Sequence, residues 1–216
     1  AALMAAFMVA LLALPAHALR VATWNFMVYQ STNTVTPIAS RQQAIRTVIL
    51  AMQPDIVIGQ EIDDIGGRDS LLKNVFNVLQ PGHWDVQWIQ VGGEGGAIYF
   101  DSTKVKISNF GTIGTGGPRP VIQALCKPVG YKSKGGWFRI YSMHLKAGNP
   151  FFTPADSLTR RTACSSLRAT PNNVTPTVLG TNFIRAGDPN FPGARDGGHQ
   201  PPAEHHPDDT ARPPTP

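Results

Sequence analysis

Four short polar motifs, each directly after an apolar run, constrain this chain more than any other feature of its sequence. They are Thr23–Asn25, Gln60–Glu61, His144–Gly148 and Ala186–Asn190. Short apolar runs rich in β-branched residues are typical of buried strands. Because α/β proteins place ligands at the carboxyl ends of their strands, we expect the polar residues of the four motifs to converge on one edge of a sheet.

Strand-like runs and amphipathic helical patterns alternate through the body of the chain. Strands are predicted over 19–25, 55–60, 84–90, 97–100, 105–107, 121–125, 137–143 and 182–186, and helices over 40–52, 71–79 and 155–169. Ser40 is the predicted N-cap of the first helix, and Pro54 follows its end. Two β–α units, a meander and a further β–α–β passage predict a mixed α/β fold.

The composition points to a loop-rich body and a tail of a different kind. Only 15% of residues are charged, and there are 21 glycines and 19 prolines, which favours β content over a helical bundle. Neither Gly-rich stretch, 92–96 or 111–117, has the Lys-Ser/Thr of a phosphate-binding loop. Residues 187–216 contain eight prolines and no Leu, Ile or Val, so 191–216 is predicted to be a disordered tail.

The N-terminal segment has the pattern of an export signal. Residues 1–14 are almost wholly apolar, and Ala16-His17-Ala18 is a small-residue cleavage pattern, so 1–18 is predicted to be a signal peptide of a secreted or periplasmic protein. A buried helix or a membrane anchor is the alternative. In an oxidising compartment Cys126 and Cys164 would be able to pair, but two buried thiols agree equally well with the sequence.

The charge of the chain is unevenly distributed. The net charge is +5, and residues 185–216 hold three arginines against five acidic residues, so the rest of the chain carries +7. A basic body suits a polyanionic partner or an anionic surface. A merely soluble cationic protein is the alternative.

Two of the strand-ending residues have the chemistry of a hard-cation site. Mg²⁺ takes one or two carboxylates with water and phosphate oxygens, and Glu61 follows the apolar run 56–58. Asn25 would ligate the same ion or orient Glu61. Taken singly, an ordinary strand-end acid and a turn-forming Asn are the alternatives.

The other two strand ends carry groups suited to phosphate chemistry. His144 would hold a phosphate oxygen as a cation or exchange a proton as a neutral ring, and Lys146 would raise the local positive potential. Asp188 would orient or deprotonate a water, with Asn190 holding that water or the phosphate. A structural His and an Asp-Pro-Asn turn are the alternatives, but four such sites in order are much harder to explain by coincidence.

Together the segments Val21–Asn25, Pro54–Glu61, Tyr141–Gly148 and Gly187–Asn190 resemble the endonuclease/exonuclease/phosphatase superfamily, which includes DNase I-like nucleases and neutral sphingomyelinases. The resemblance implies a four-layer α/β sandwich over 19–190, with two packed mixed β-sheets flanked by helices. It also implies a phosphodiesterase site that uses Mg²⁺ or Mn²⁺.

The resemblance assigns a role to each candidate residue. Asn25 and Glu61 would lie on the metal side, and His144 would stabilise the transition state. Asp188 would align the attacking water, and Asn190 would orient Asp188 or the phosphate.

Two departures from the superfamily pattern concern the end of the chain. Pro189 stands where the family motif usually has Phe, and proline restrains Asp188 to an extended conformation. The closing Ser-Asp-His-type motif has no counterpart after Asn190, and His199, His205 and His206 receive no role. We therefore expect a C-terminally incomplete fold with impaired activity.

The function predicted from the sequence is that of an exported, metal-dependent phosphodiester hydrolase. Its expected substrate is nucleic acid in preference to phospholipid, because the body is basic and no apolar membrane-docking hairpin is evident. The alternative is a non-catalytic secreted binding domain or a truncated relic of the same fold.

Overall fold

The computed structural model describes residues 18–32, 38–91, 93–148, 153–173 and 182–191. Within these residues no helix is both long enough and apolar enough to cross a bilayer. Nearly all of the predicted signal peptide and of the predicted tail lies outside the described residues, so both remain predictions.

Eight strands and three main helices follow one another along the described chain. In order they are β1 (Val21–Tyr29), α1 (Ile38–Met52), β2 (Ile56–Ile62), α2 (Ile65–Leu71), β3 (Trp84–Val91), β4 (Glu94–Asp101), β5 (Val105–Ile113), β6 (Val121–Pro128), β7 (Phe138–His144), α3 (Pro154–Asn173) and β8 (Asn182–Asp188). Helix α2 continues through a π-helical turn, Leu72–Phe76, and a short α-helical piece, Asn77–Leu79. A 3₁₀ turn, Lys134–Gly136, precedes β7.

The strands form two mixed four-stranded sheets. The first sheet has the order β1-β2-β4-β3 and the second has the order β5-β6-β7-β8. In each sheet one pair is parallel, β1 with β2 and β7 with β8, and the other pairs are antiparallel. This confirms the predicted α/β class and its two mixed sheets.

Three apolar clusters hold four layers together. Between the sheets, Ile58 and Ile98 of the first sheet pack with Ala124 and Ile140 of the second. Helices α1 and α2 cover the outer face of the first sheet, and α3 packs through Leu167 on the outer face of the second. The first sheet is thus buried on both faces, as the near-continuous burial of β2 and β4 indicates. The outer face of the second sheet is covered by α3 around Tyr141 but is open to solvent at Lys106 and Phe183.

The structure corrects one local expectation and decides between two alternatives that the sequence left open. Ser40 lies inside α1, which already begins at Ile38, so it is not the N-cap. Cys126 lies in the core between the sheets and forms no disulfide. Burial raises the pKa of its thiol to about 12, because a thiolate is poorly solvated there.

Candidate active site

The structure brings the strand ends of both sheets to one edge of the sandwich. In the first sheet Asn25 pairs in register with Gln60, next to Glu61 on the parallel neighbour β2. In the second sheet His144 and Asp188 are register partners at the ends of β7 and β8. The parallel pairing places residues that end adjacent strands side by side.

Asn25 joins the two sheets through its side-chain amide. Its Nδ2 donates to Glu61 Oε1 at 2.8 Å and to Asp188 Oδ2 at 2.9 Å. Its Oδ1 accepts the backbone N–H of Met27 at 2.8 Å. In this arrangement the Asn25 amide orients two carboxylates, while its oxygen is engaged by the chain that follows it.

A bulge in β1 supplies a further support for Glu61. Met27 and Val28 have φ values of 54° and 53°, which is strained for residues with a side chain, above all a β-branched one. The conformation directs the N–H of Val28 to Glu61 Oε2 at 3.0 Å. Arg41 of α1 holds the bulge, since its Nη2 donates to the carbonyls of Phe26 at 2.5 Å and Met27 at 3.1 Å.

His144 lies between two carboxylates. Its Nε2 is 3.5 Å from Glu61 Oε1, and its Nδ1 is 2.9 Å from Glu94 Oε2. The side chains of His144, Glu61 and Glu94 are 12%, 19% and 28% exposed, so electrostatic interactions among them are only weakly screened by solvent.

Arg119 fixes the far side of the His144–Glu94 pair. Its Nη2 lies 2.6 Å from Glu94 Oε1, and its Nη1 donates to the carbonyl of Leu145 at 3.0 Å. The guanidinium thus links the start of β4 to the residue directly after His144. A rigid fork of donors suits Arg for this position.

Asp188 is fixed by the backbone on both sides of it. Gly187 has a φ of 132°, and a Cβ there would lie 1.9 Å from the carbonyl oxygen of Met143, so only glycine fits. The backbone N–H of Asn190 donates to Asp188 Oδ1 at 2.9 Å. The side chain of Asn190 instead donates to the carbonyl of Leu145 at 3.0 Å.

All five residues singled out in the sequence are therefore near one another. Asn190 contacts Asp188 through its backbone, and Asp188 is the last residue of the extended strand β8, as expected before Pro189. Lys146 turns away, since its Nζ contacts its neighbour Ala147 and lies 3.6 Å from Asp156.

The sequence matches no family model and no curated protein. Solved structures do share the fold. The human nocturnin catalytic domain with bound sulfate has a TM-score of 0.62 at 21% identity, and the match covers 84% of this chain and 66% of nocturnin's. D. rerio TDP2 complexed with a single-strand DNA product has a TM-score of 0.55 at 18% identity, and the match covers 82% of this chain and 62% of that of TDP2. ANGEL2, a 2′,3′-cyclic phosphatase, in complex with adenosine-2′,3′-vanadate, has a TM-score of 0.55 at 18% identity, and the match covers 81% of this chain and 54% of that of ANGEL2.

Nocturnin, TDP2 and ANGEL2 are members of one superfamily. This chain has the endonuclease/exonuclease/phosphatase fold. The resemblance expected from the sequence is thereby confirmed at the level of the fold. The chain spans between about half and two thirds of the length of these three structures.

Two residues of the site were not identified in the sequence, Glu94 and Arg119. Glu94 is the single acid of the Gly-rich stretch 92–96, and it begins β4, which runs antiparallel to β2. The amino end of an antiparallel strand reaches the same edge as the carboxyl ends of its neighbours. An acid in a glycine-rich hairpin is the available signal, and a comparison of this stretch with the phosphate-binding-loop pattern alone does not detect it.

The donor set suits a hard divalent cation. Among the described residues, Glu61, Glu94 and His144 offer ligand atoms that all lie within 4.8 Å of one another. Glu94 Oε2 is buried and receives no hydrogen bond of good geometry, although His144 is close. A buried carboxylate oxygen without a donor is costly, and a cation would satisfy it.

One more carboxylate borders the site. Burial raises the pKa of Asp63, and the charges of Glu94 and Glu61 raise it further, while hydrogen bonds from Gly95 and Gln30 lower it.

The predicted absence of a closing His motif remains a prediction, because His199, His205 and His206 lie outside the described residues.

Proposed function

We propose that this protein is a metal-dependent phosphoesterase that hydrolyses phosphodiesters, with nucleic acid as the favoured substrate class. The observation that supports this most directly is the double hydrogen bond of Asn25, which joins Glu61 of one sheet to Asp188 of the other beside His144. The fold shared with nocturnin, TDP2 and ANGEL2 agrees with this class of chemistry.

The proposed cofactor is Mg²⁺ or Mn²⁺. Glu61 would hold the ion, with the carboxylate of Glu94 as a neighbouring donor. A divalent ion in this position would neutralise negative charge that develops on the phosphate oxygens.

Asp188 and His144 have different proposed roles, the first toward the attacking water and the second toward the phosphate. Asp188 accepts hydrogen bonds from Asn25 and from the Asn190 backbone, which fixes its carboxylate at the site edge. A carboxylate held in this way is suited to align the attacking water and accept its proton. His144, positioned by Glu94, is suited to donate a hydrogen bond to a phosphate oxygen as its charge increases.

The test is hydrolysis of plasmid DNA and of a choline phospholipid in parallel, with Mg²⁺ and with a chelator. We expect cleavage of DNA that requires the cation, and loss of nearly all turnover in Glu61→Ala and Asp188→Ala. Asp85→Ala removes an exposed acid of β3 and is the matched control. Full turnover in either site variant would refute the assignment, and faster hydrolysis of phospholipid would change the substrate class.

Calorimetric titration with Mn²⁺ distinguishes an enzyme from a binding domain that retains only the fold. We expect one binding event that Glu61→Ala abolishes. Absence of any binding to the wild-type protein would favour the non-catalytic alternative.

Export to a secreted or periplasmic space is proposed from residues 1–18 alone. Mass spectrometry of the protein recovered outside the cytoplasm checks it, because cleavage would give a chain that begins at Leu19.

A further inference from the structure

Charge divides this protein into an acidic half and a basic half. Residues 19–101, which form the first sheet and its helices, contain five Lys and Arg residues and eight acidic residues. Residues 102–187, which form nearly all of the second sheet and α3, contain twelve Lys and Arg residues and a single acidic residue, Asp156. The positive charge of the body therefore belongs to the half of the chain that contains the second sheet, its connecting loops and α3.

Several of these cations share the outer face of the second sheet with aromatic rings. Strand neighbours alternate between the faces of a sheet, and Ala124, Cys126 and Ile140 point into the core between the sheets. On the opposite face Leu125 and Tyr141 are buried. The cations and the other rings of that face, together with the ring that precedes β7, are Lys106, Lys127, Trp137, Arg139, Phe183 and Arg185. We call this set the basic face.

Two cations of the basic face lie against its rings, and none of the four pairs with an acidic side chain among the described residues. Lys127 Nζ is 4.5 Å from the ring centre of Trp137, and the guanidinium of Arg185 is 4.6 Å from that of Phe183. Within the described part of the chain, none of these cations has a salt bridge. Lys106 is exposed and Phe183 is 44% exposed, so both a charge and a ring face solvent.

The cations of the basic face reduce the stability of the second sheet. Lys106 and Lys127 are direct cross-strand partners, and like charges in that position destabilise a sheet. Burial lowers the pKa of Arg185, and nearby Arg168 also lowers it, while Tyr141 raises it. The Arg185 guanidinium donates to the carbonyls of Leu167 and Arg168 of α3 at 3.1 and 3.4 Å, so its charge is only partly compensated by the protein. A bound anion would relieve the repulsion between the two lysines.

We infer that the basic face binds single-stranded nucleic acid outside the catalytic edge. Cations that follow a sugar–phosphate backbone, interleaved with rings on which bases stack, characterise sheets that bind single strands. Arg139 precedes His144 by five residues of β7, so at about 3.3 Å per residue the face lies roughly 17 Å from the site. The choice of nucleic acid as the bound anion rests on the proposed function.

The test is fluorescence anisotropy of a labelled 20-nucleotide thymidine strand in a chelator, where hydrolysis is excluded. Each phosphate contact contributes about 0.7 to the slope of log affinity against log salt for single strands. The double variant Lys106→Gln/Lys127→Gln should therefore reduce the slope by about 1.4, which is about 25-fold weaker binding at 0.1 M salt. Phe183→Leu should weaken binding about fivefold or more through loss of stacking.

Controls separate the face from the overall charge. Lys73→Gln removes an exposed lysine of the acidic half and should leave the salt slope within 0.7 of the wild-type value. The double variant should melt no lower than the wild type, because a like-charge pair is removed.

The inference is overturned by unchanged binding in the double variant, by an equal loss in Lys73→Gln, or by tighter binding to phosphatidylserine vesicles than to the oligonucleotide. Binding is measured in a chelator and cleavage is measured separately with Mg²⁺, so the two claims can fail independently. If the protein binds the oligonucleotide through the basic face but does not cleave DNA with Mg²⁺, the proposed function is contradicted and this inference is not.

Discussion

Asn25 of the first sheet donates a hydrogen bond of 2.9 Å to Asp188 of the second sheet, 163 positions later in the chain. The same amide group also donates to Glu61. The catalytic groups proposed for this protein therefore depend on how the two sheets pack, and one uncharged donor sets the separation of two negative charges.

Replacing Asn25 by Asp should damage the site although it keeps a side-chain oxygen that could face a metal ion and leaves Glu61, His144 and Asp188 in place. An ionised Asp cannot donate to Glu61 or Asp188, and it adds a third negative charge between them. We expect about 10–100-fold lower turnover, the usual effect of losing a group that orients ligands. Steady-state hydrolysis measures the loss. Asn109→Asp, on an exposed position of β5, should have no effect, and equal activity of the two variants would contradict the prediction.

Arg41 should support the site although it contacts none of the proposed catalytic groups. It holds the carbonyls of Phe26 and Met27, and two strained residues of this kind cost about 1–3 kcal/mol each unless the surroundings hold them. In Arg41→Met we expect the bulge to relax, the Val28 N–H to exchange faster and Mn²⁺ to bind about tenfold more weakly.

Arg41→Lys should restore part of the Mn²⁺ affinity, because a Lys ammonium can reach a carbonyl but cannot bridge two of them as a planar fork. Amide exchange followed by NMR, together with calorimetry, checks both variants. Unchanged exchange at Val28 in Arg41→Met would rule out the supporting role.

Lys104 should stabilise the end of the sandwich opposite the site. Its ammonium contacts buried Asp55 and lies 3.7 Å from Asp101, whose Oδ2 has no hydrogen-bond partner. Removing one partner of a buried ion pair leaves the other charge uncompensated. Lys104→Met should therefore lower the free energy of unfolding by about 2 kcal/mol, which is less than for a fully buried pair because Lys104 is half exposed to solvent. Urea denaturation measures it, with Lys73→Met as the control.

The pH dependence of this contribution follows from the Lys104 pKa. The hydrogen bond to Asp55 raises the pKa above 10.5 in the folded protein. The stabilisation is therefore complete below pH 10.5 and is lost as the pH rises through the folded-state value. If the difference in the free energy of unfolding between wild type and Lys104→Met persists above the folded-state pKa of Lys104, the stabilisation does not come from the charge of Lys104.

Asp64 should make the start of α2 sensitive to acid. It is the N-cap of α2 and accepts from Gly67 N, Ser31 N and Ser31 Oγ. Partial burial favours a higher pKa, but these hydrogen bonds outweigh it and lower the pKa below 3.8. Asp64→Ala should cost about 1 kcal/mol at neutral pH.

Because a lowered pKa stabilises the folded state only while the carboxylate is ionised, the advantage of Asp64 is present above pH 3.8. It is lost as the pH falls through the folded-state pKa. Urea denaturation of wild type and Asp64→Ala at pH 7 and at pH 2.5 checks this, and an equal difference at both values would show that charge is not involved.

The strand ends could be predicted from the sequence, but their supports could not. Apolar runs with β-branched residues identify β2 and β7 locally, and Glu61 and His144 follow from where those runs end. The bulge at Met27 and Val28 has no signal, because positive φ is normally marked by Gly, Asn or Asp. Tertiary hydrogen bonds from Arg41 impose it instead.

The sequence by itself determined the α/β class, the order of the strands and helices, and the polar residues that end the strands, because periodicity and turn chemistry act over a few neighbouring residues. The tertiary structure decided that Glu94 and Arg119 join His144, and that Asn25 connects Glu61 to Asp188. Those contacts depend on antiparallel pairing and on the packing of two sheets, which bring together residues far apart in the chain and leave no local pattern.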